Sequence, residues 1–238
     1  ENKFRIVGDL VQAGDVVVLV TPIDKSAPKG RLILPQQQVI RDLLENNAIS
    51  MVTKEHELRQ TLAALRNKPR LVITDSQVFA KAAADTPPDV PLTSFSILFA
   101  RYKGDLVQMV RGTAAISRLK DGDKILIAEA CTHHAQSDDI GRVKIPHWLR
   151  EKSGKELHFD FAAGSSYGEN IEQYALIVHC GACMINRNEM LYRLQEAAAH
   201  GVPVVNYGVL IAYVQGILDR VLEPFPLARQ TWREATRD

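Results

Sequence analysis

Residues 174–184 read Tyr-Ala-Leu-Ile-Val-His-Cys-Gly-Ala-Cys-Met, an apolar run that ends in a histidine and a Cys-x-x-Cys pair. The third cysteine of the chain, Cys131, also follows an apolar run, at residues 125–128. Apolar runs of this length are consistent with buried β-strands. All three cysteines therefore fall in two short segments, and each segment directly follows a predicted strand.

Predicted strands and helices alternate along the whole chain, which is the pattern of parallel sheets covered by helices. We therefore expect an α/β protein with two Rossmann-like domains, each a mostly parallel sheet flanked by helices. A turn at residues 120–123 follows the last helix of the first half, and we set the domains at 1–115 and 116–238. The predicted strands lie at residues 16–20, 49–52, 71–73, 92–94, 124–130, 157–161, 175–178 and 202–206.

Three further expectations concern the second half of the chain. A helix is predicted to start at the Cys-x-x-Cys pair and to run to Ala199. An unbroken apolar stripe from Val209 to Leu222 predicts one long helix after the last strand. Beyond Pro224 the sequence turns polar, and we expect a mobile tail there.

The composition argues against several classes of protein. With 238 residues, of which 46% are hydrophobic, the chain is long enough for two domains with real cores. The formal charge is +1 and the basic residues are scattered, which argues against nucleic acid as a partner. No apolar run approaches the roughly 18 residues that a membrane span needs, so we expect no membrane association. Three cysteines cannot all pair within the chain, which indicates a reducing, cytoplasmic environment.

The two cysteine segments are predicted to meet. Because the carboxyl ends of parallel strands lie at one edge of a sheet, Cys131, Cys180 and Cys183 should gather there, with His133 and His179 beside them. A helix start at the cysteine pair would favour the thiolate form. Other candidates for this edge, each also compatible with a structural role, are the loop at 164–168, Asn206, Tyr207, and the acidic residues Glu129, Asp138 and Asp139.

Three thiols without a fourth favour a metal or iron–sulfur site. A zinc site of the Cys3His type and an iron–sulfur cluster both fit this count. Three thiolates would leave one iron with an exchangeable ligand, which suits delivery of a cluster better than scaffolding. Two other interpretations stay open at this point, a redox dithiol formed by Cys180 and Cys183, and inert buried thiols.

The longer motifs resemble one known family. The spacing is Cys131-x-His133, then 45 residues, then His179-Cys180-x-x-Cys183. The stretch continues as Met-Ile-Asn-Arg at 184–187, and the first half contains Ala-Pro-Lys-Gly-Arg-Leu-Ile-Leu-Pro-Gln at 27–36. Together these resemble HydF, the maturation protein of FeFe-hydrogenase, and the resemblance covers essentially the whole chain.

The resemblance implies a dimerisation domain at 1–115 and a cluster-binding domain at 116–238. It implies a 4Fe–4S cluster bound by Cys131, Cys180 and Cys183, and it leaves open whether His133 or His179 ligates or lines the cluster. The implied function is that of a homodimeric scaffold. Such a scaffold receives a di-iron precursor from two radical-SAM maturases and passes it to the apo FeFe-hydrogenase.

One feature of the family is missing from the sequence. Its GTPase domain needs a Gly-x-x-x-x-Gly-Lys-Ser/Thr loop, which does not occur here, so we expect neither nucleotide hydrolysis nor a catalytic residue in this chain. The alternative function is a zinc-stabilised regulatory or interaction module. A thiol oxidoreductase is a third hypothesis, which leaves Cys131 and His133 without a role.

Overall fold

The structure is a computed structural model that describes residues 5–23, 32–130, 140–164 and 166–237. Within these ranges the chain forms two four-stranded sheets flanked by helices, and every strand pair in them is parallel. The predicted fold class is confirmed. The strands are β1 (Val16–Val20), β2 (Ile49–Thr53), β3 (Leu71–Thr74) and β4 (Leu92–Ser94) in the first sheet, and β5 (Lys124–Glu129), β6 (His158–Ala163), β7 (Tyr174–His179) and β8 (Val204–Asn206) in the second.

Both sheets have the same local strand order. The order is β2-β1-β3-β4 in the first sheet and β6-β5-β7-β8 in the second. The central strands are buried and almost wholly apolar, as strands covered by helices on both faces must be. In each sheet the strand order reverses between the two middle strands, and parallel α/β sheets open a crevice at the carboxyl edge of that point.

Four of the helices begin behind a capping side chain. Ser94, Asp105, Asn186 and Asn206 each accept a hydrogen bond from a backbone N–H group of the first turn, which would otherwise lack a partner. The helices are α1 (Leu34–Glu45), α2 (Leu58–Ala64), α3 (Phe79–Asp85), α4 (Phe95–Lys103), α5 (Leu106–Thr113), α6 (Ile145–Ser153), α7 (Arg187–Ala199), α8 (Tyr207–Val214), α9 (Leu218–Val221) and α10 (Pro226–Ala235).

The predicted helix start at the Cys-x-x-Cys pair is wrong. Helix α7 begins at Arg187, because the side chain of Asn186 accepts a hydrogen bond from the Glu189 N–H group at 2.9 Å. Residues 180–186, which we call the cysteine loop, are irregular. Within this loop Ala182 has a left-handed backbone with a φ of 54°, which costs a non-glycine residue on the order of 1 kcal/mol.

The end of the chain also differs from the prediction. The expected long helix is interrupted by Gly216, whose φ of 72° separates α8 from α9. The sequence beyond Pro224, expected to be mobile, forms α10. Thr231 of this helix is buried, and Asp219 of α9 binds Arg229 and Arg233 at 2.8 and 2.7 Å. The polar residues of the tail therefore join α10 to α9, and α10 also packs against α5.

The two sheets share a continuous hydrophobic core, and a second apolar cluster that includes Ile125, Ile127 and Leu176 lies within the second half. Helix α4, which the sequence analysis did not predict, packs against α7 and α8 of the second half, and α5 packs against β8 and α10. Gly208 permits the close approach of α4 and α8, because a Cβ atom there would lie 2.5 Å from the Cβ atom of Ser96. None of the helices in the described part of the chain is long and apolar enough to cross a membrane.

Candidate metal centre

Two neighbouring strands lead into the candidate site. Strands β5 and β7 are hydrogen-bonded to each other, and Ala128 lies opposite His179 near their carboxyl ends. The predicted parallel arrangement of these two strands is confirmed. Beyond the strand ends, the Ala130 N–H group donates to Cys180 Sγ at 3.2 Å. The two segments therefore leave the sheet side by side, at the point where the strand order reverses.

Part of the predicted ligand set lies outside the described residues, namely Cys131, His133, Asp138 and Asp139. Cys180 and Cys183 are described, and both are free, half-buried thiols. Among the residues that the structure describes, no group of three or more His, Cys, Asp or Glu side chains could hold a metal ion. Ligation by three cysteines therefore stays a prediction.

The environment of Cys180 differs from the one expected. Burial raises the pKa of the Cys180 thiol, while the N–H groups of Ala130 and Ala182 act in the opposite direction. The expected help from a helix start is absent because α7 begins beyond the cysteine loop. Instead, backbone N–H groups point at the sulfur, and hydrogen bonds to ligand sulfurs are one of the features that tune iron–sulfur clusters.

A buried lysine from the first half contacts the cysteine loop. Lys103, the last residue of α4, is only 8% exposed. Its Nζ atom donates to the carbonyl oxygens of Ala182, Cys183 and Ile185 at 3.0, 2.9 and 2.8 Å. These three acceptors satisfy all three donors of the ammonium group. Burial lowers the pKa of Lys103, and the nearby Cys183 thiol acts in the opposite direction.

His179 is fully buried, and both of its ring nitrogens are hydrogen-bonded. Nε2 lies 2.8 Å from Arg193 Nη1, and Nδ1 lies 2.8 Å from the Cys180 carbonyl oxygen. Because a guanidinium can only donate, Nε2 accepts and Nδ1 carries the proton. Burial, assisted by the charge of Arg193, lowers the pKa of His179 to about 4. A metal ion would have to displace one of these two partners to bind the ring.

A cavity of about 210 Å³ lies beside Cys183. Its walls come from both halves and include the first residues of α4 and α8 as well as Gly181. Ile33 and Ile140, which also line it, follow closely on the segments 24–31 and 131–139, for which no structure is described. In the same wall, the buried Ser76 Oγ atom has no hydrogen-bond partner within the described ranges. The cavity offers room for a small ligand next to a candidate metal ligand.

The remaining candidates have contacts of their own. Asn206 caps α8 and donates from Nδ2 to the Ser96 carbonyl oxygen at 3.0 Å. The Tyr207 hydroxyl donates to Glu129 Oε1 at 3.3 Å. In the loop at 164–168, the Gly164 carbonyl oxygen accepts a hydrogen bond from Arg193. Among these residues, Tyr207 lines the cavity together with Cys183.

The sequence analysis missed two basic residues next to the site, Lys103 and Arg193. A signal existed for Arg193, which lies three positions after Met190 and four before Ala197, on the buried face of α7. A basic residue on the apolar face of a predicted helix is a candidate for a buried contact. Lys103 gave no comparable signal, because its helix was not predicted.

Two family models match the chain in succession. The hydrogen maturase F dimerization domain matches residues 6–104, and the hydrogen maturase F tetramerization domain matches residues 107–224. The chain belongs to the hydrogen maturase F family. Membership implies a role in the maturation of FeFe-hydrogenase, and the two matched domains support self-association. No GTPase domain of the family is detected. The domain boundary at 115/116 stays a prediction.

The other comparisons add little. No curated protein matches this hydrogen maturase F chain. Among solved structures, it is similar to a chain described as a LACI-family transcription regulation repressor from Corynebacterium glutamicum. The identity is 12%, the match covers 92% of this chain and 89% of the other, and the TM-score is 0.28. A similarity at this level carries no argument about fold or function.

Proposed function

We propose that this chain binds a 4Fe–4S cluster through Cys131, Cys180 and Cys183, and that it holds and transfers the di-iron precursor of the FeFe-hydrogenase active site. The hydrogen bond from the Ala130 N–H group to Cys180 Sγ carries the proposal. It fixes the residue before Cys131 against the thiol of Cys180. The proposal extends this contact by one residue along the chain and assigns Cys131 to the same site.

The described residues suit an iron–sulfur cluster. Thiolates are its usual ligands, and Cys180 and Cys183 are both free. The N–H groups directed at Cys180 Sγ and the buried ammonium group of Lys103 both favour negative charge at the site. When bound, the cluster would supply an iron atom with an exchangeable fourth ligand. The role of the chain itself is to bind the cluster, to orient the cysteine loop and to keep the thiols apart from bulk solvent.

We assign separate roles to the cavity and the histidines. The cavity beside Cys183 is the volume we assign to the transferred precursor, because it combines room with access to a cluster ligand. His133 is a candidate for the labile fourth ligand or for lining the cluster. His179 is assigned to positioning, because Arg193 and the Cys180 carbonyl group already occupy its two ring nitrogens.

The proposal also includes partners. The chain would act as a homodimer, receive the precursor from the radical-SAM hydrogenase maturases and deliver it to the apo FeFe-hydrogenase. The match to a dimerization domain supports the self-association on which this depends. Because the three thiols must stay reduced to bind iron, the proposal assigns the protein to the cytoplasm.

Anaerobic reconstitution with iron and sulfide tests the cluster. We expect about four irons per chain and, after reduction, the electron paramagnetic resonance signal of a 4Fe–4S cluster. Cys131→Ser, Cys180→Ser and Cys183→Ser should each lower the iron content and alter or abolish the signal. His158→Gln, which changes an exposed histidine on β6, serves as the control and should behave like the parent protein.

Transfer is tested with a loaded chain. After the precursor has been added, mixing with apo FeFe-hydrogenase should produce active hydrogenase, and the three serine variants should fail in this assay. If each chain bound one zinc ion tightly and took up no iron, the cluster proposal would be overturned and the zinc-stabilised module would be favoured. Full iron loading of Cys131→Ser would overturn the assignment of Cys131.

A further inference from the structure

Lys103 brings a buried positive charge to the cysteine loop from the other half of the chain. Its three hydrogen bonds all go to main-chain carbonyl oxygens of the loop, which carry dipoles but no net charge. In the described part of the chain, no carboxylate forms an ion pair with Lys103. A buried charge without a partner of opposite sign is costly, so a protein that keeps one has a use for it.

A second buried cation, Arg193, lies next to the residue that precedes the cysteine loop. Arg193 is 1% exposed, and it contacts His179, the Gly164 carbonyl oxygen and the face of the Tyr167 ring. Within the described ranges it forms no ion pair either, and its Nε atom has no hydrogen-bond partner. These two cations favour negative charge at the cysteine loop, whereas the carboxyl group of Glu129 opposes it at Cys180.

We propose that Lys103 is a positioning residue for the metal centre: it fixes the cysteine loop through three carbonyl contacts and supplies positive charge that offsets the charge of a thiolate-bound cluster. The inference rests on the proposed function for the identity of that cluster. It goes beyond it by assigning to the site a residue from the part of the chain that matches the dimerization domain.

A reciprocal contact strengthens the connection between the halves. Arg187, the first residue of α7, donates from Nη1 to the Tyr102 carbonyl oxygen at 2.6 Å. The end of α4 therefore has two contacts here. Its Lys103 donates to the cysteine loop, and its Tyr102 carbonyl oxygen accepts from Arg187, the residue directly after the loop. Because both contacts join the loop to one helix end, a displacement of α4 must displace the loop or break these hydrogen bonds.

Hydrogen–deuterium exchange on the full apo chain tests the anchoring. In Lys103→Met the amides of Ala182 and Ile185, which donate to Cys180 Sγ and to the Ala182 carbonyl oxygen, should exchange about tenfold faster or more, because the hydrogen bonds from a charged group that hold the loop are lost. Lys103→Arg, which keeps charge and donors, should retain most of the protection. Lys155→Met, which changes an exposed lysine, is the matched control and should exchange like the parent.

The midpoint potential of the reconstituted cluster tests the charge. A nearby positive charge favours the reduced cluster, which carries one more negative charge, so Lys103→Met should move the midpoint to a more negative value. Lys103→Arg and Lys155→Met should leave it close to that of the parent. Lys103→Gln keeps side-chain N–H donors without the charge, and it replaces Lys103→Met if circular dichroism shows that the methionine variant does not fold.

The outcomes separate this inference from the proposed function. An unchanged midpoint potential in the neutral variants, or unchanged exchange of the loop amides, would overturn the inference. A parent chain that takes up no iron would overturn the proposed function and, with it, the charge-compensating role of Lys103. In that case the exchange data on the apo chain still decide whether Lys103 anchors the loop, because that measurement needs no metal.

Discussion

Gly208 sets how closely the two halves approach each other. It is the second residue of α8, and its backbone N–H group donates to Ser96 Oγ at 3.1 Å. A Cβ atom at this position would lie 2.5 Å from Ser96 Cβ, which is fixed to the α4 backbone and cannot turn away. We expect Gly208→Ala to lower the free energy of unfolding by about 1–3 kcal/mol, because overpacking forces α4 and α8 apart.

Urea denaturation followed by circular dichroism measures this effect. Gly181→Ala is the matched control, because the first non-neighbouring atom that its added methyl group would meet within the described ranges, Ser96 Oγ, is 4.0 Å away. That variant should change the free energy of unfolding by less than about 0.5 kcal/mol. Equal stabilities for the two alanine variants would contradict the steric role of Gly208.

At the scale of elements, α9 and α10 are joined by a charged contact that makes the end of the chain sensitive to acid. Hydrogen bonds from Arg233 and Arg229 hold the pKa of Asp219 well below its usual range. A carboxyl group with a lowered folded-state pKa stabilises the fold above its unfolded pKa of about 3.9. This stabilisation declines progressively as the pH falls from that value towards the lower folded-state pKa. We therefore expect α10 to loosen below about pH 4.

The fluorescence of Trp232 in α10 reports this change, because its ring packs edge-on against the ring of Tyr213, with the two ring centroids 5.7 Å apart. The substitution Trp148→Phe removes the other tryptophan of the chain, so that only Trp232 emits. In this background the emission of Trp232 should change as the pH falls from 5, which lies above the unfolded pKa of Asp219, to 2. Asp219→Asn should show the loosened emission already at neutral pH. The exposed Glu223 provides the control, and Glu223→Gln should follow the parent. If Asp219→Asn matched the parent at all pH values, the contact would not hold α10.

The elements also show what could be predicted from the sequence and what could not. Strands β1, β5 and β7 were predictable because a buried parallel strand is a continuous apolar run. Helix α4 was missed because it follows β4 directly, and this strand of three residues, Leu-Thr-Ser, is too short to show a periodicity that differs from that of the helix. The start of α7 was misjudged because Asn186, a strong cap, lies beyond the cysteine pair.

The site was also predictable only in part, because some of its contacts follow from the sheet topology and others from how the helices pack. Adjacent parallel strands bring the segments after β5 and β7 together, and topology alone predicts that. The buried contacts of Lys103 and Arg193 depend on how α4 and α7 pack, and a contact between residues 103 and 183 leaves no periodic mark in the sequence. Sequence patterns therefore located the candidate ligands, and tertiary packing supplied the charges around them.

At the scale of the whole molecule, the shared core joins two sheets of the same topology into one unit. Helices α4 and α5 both contact elements of the second half, and the end of α4 binds the cysteine loop through Lys103. The position of the cysteine loop in the second half therefore depends on the folding of the first half. This dependence predicts that the two halves unfold together.

Leu19→Ala tests that prediction, because Leu19 is fully buried in β1 of the first sheet. Removing this side chain should cost about 2–5 kcal/mol through lost burial and a cavity. Both tryptophans, Trp148 and Trp232, lie in the second half, so fluorescence reports only on that half. If the halves unfold as one unit, the denaturation midpoint by fluorescence should fall together with the midpoint by circular dichroism. Leu44→Ala, at an exposed position on α1, is the control and should move neither midpoint noticeably.

The contradicting outcome is a fluorescence transition that keeps its midpoint while the circular dichroism curve gains a second transition at lower denaturant concentration. That result would show that the first half unfolds alone, and the cysteine loop would then not need α4 for its structure.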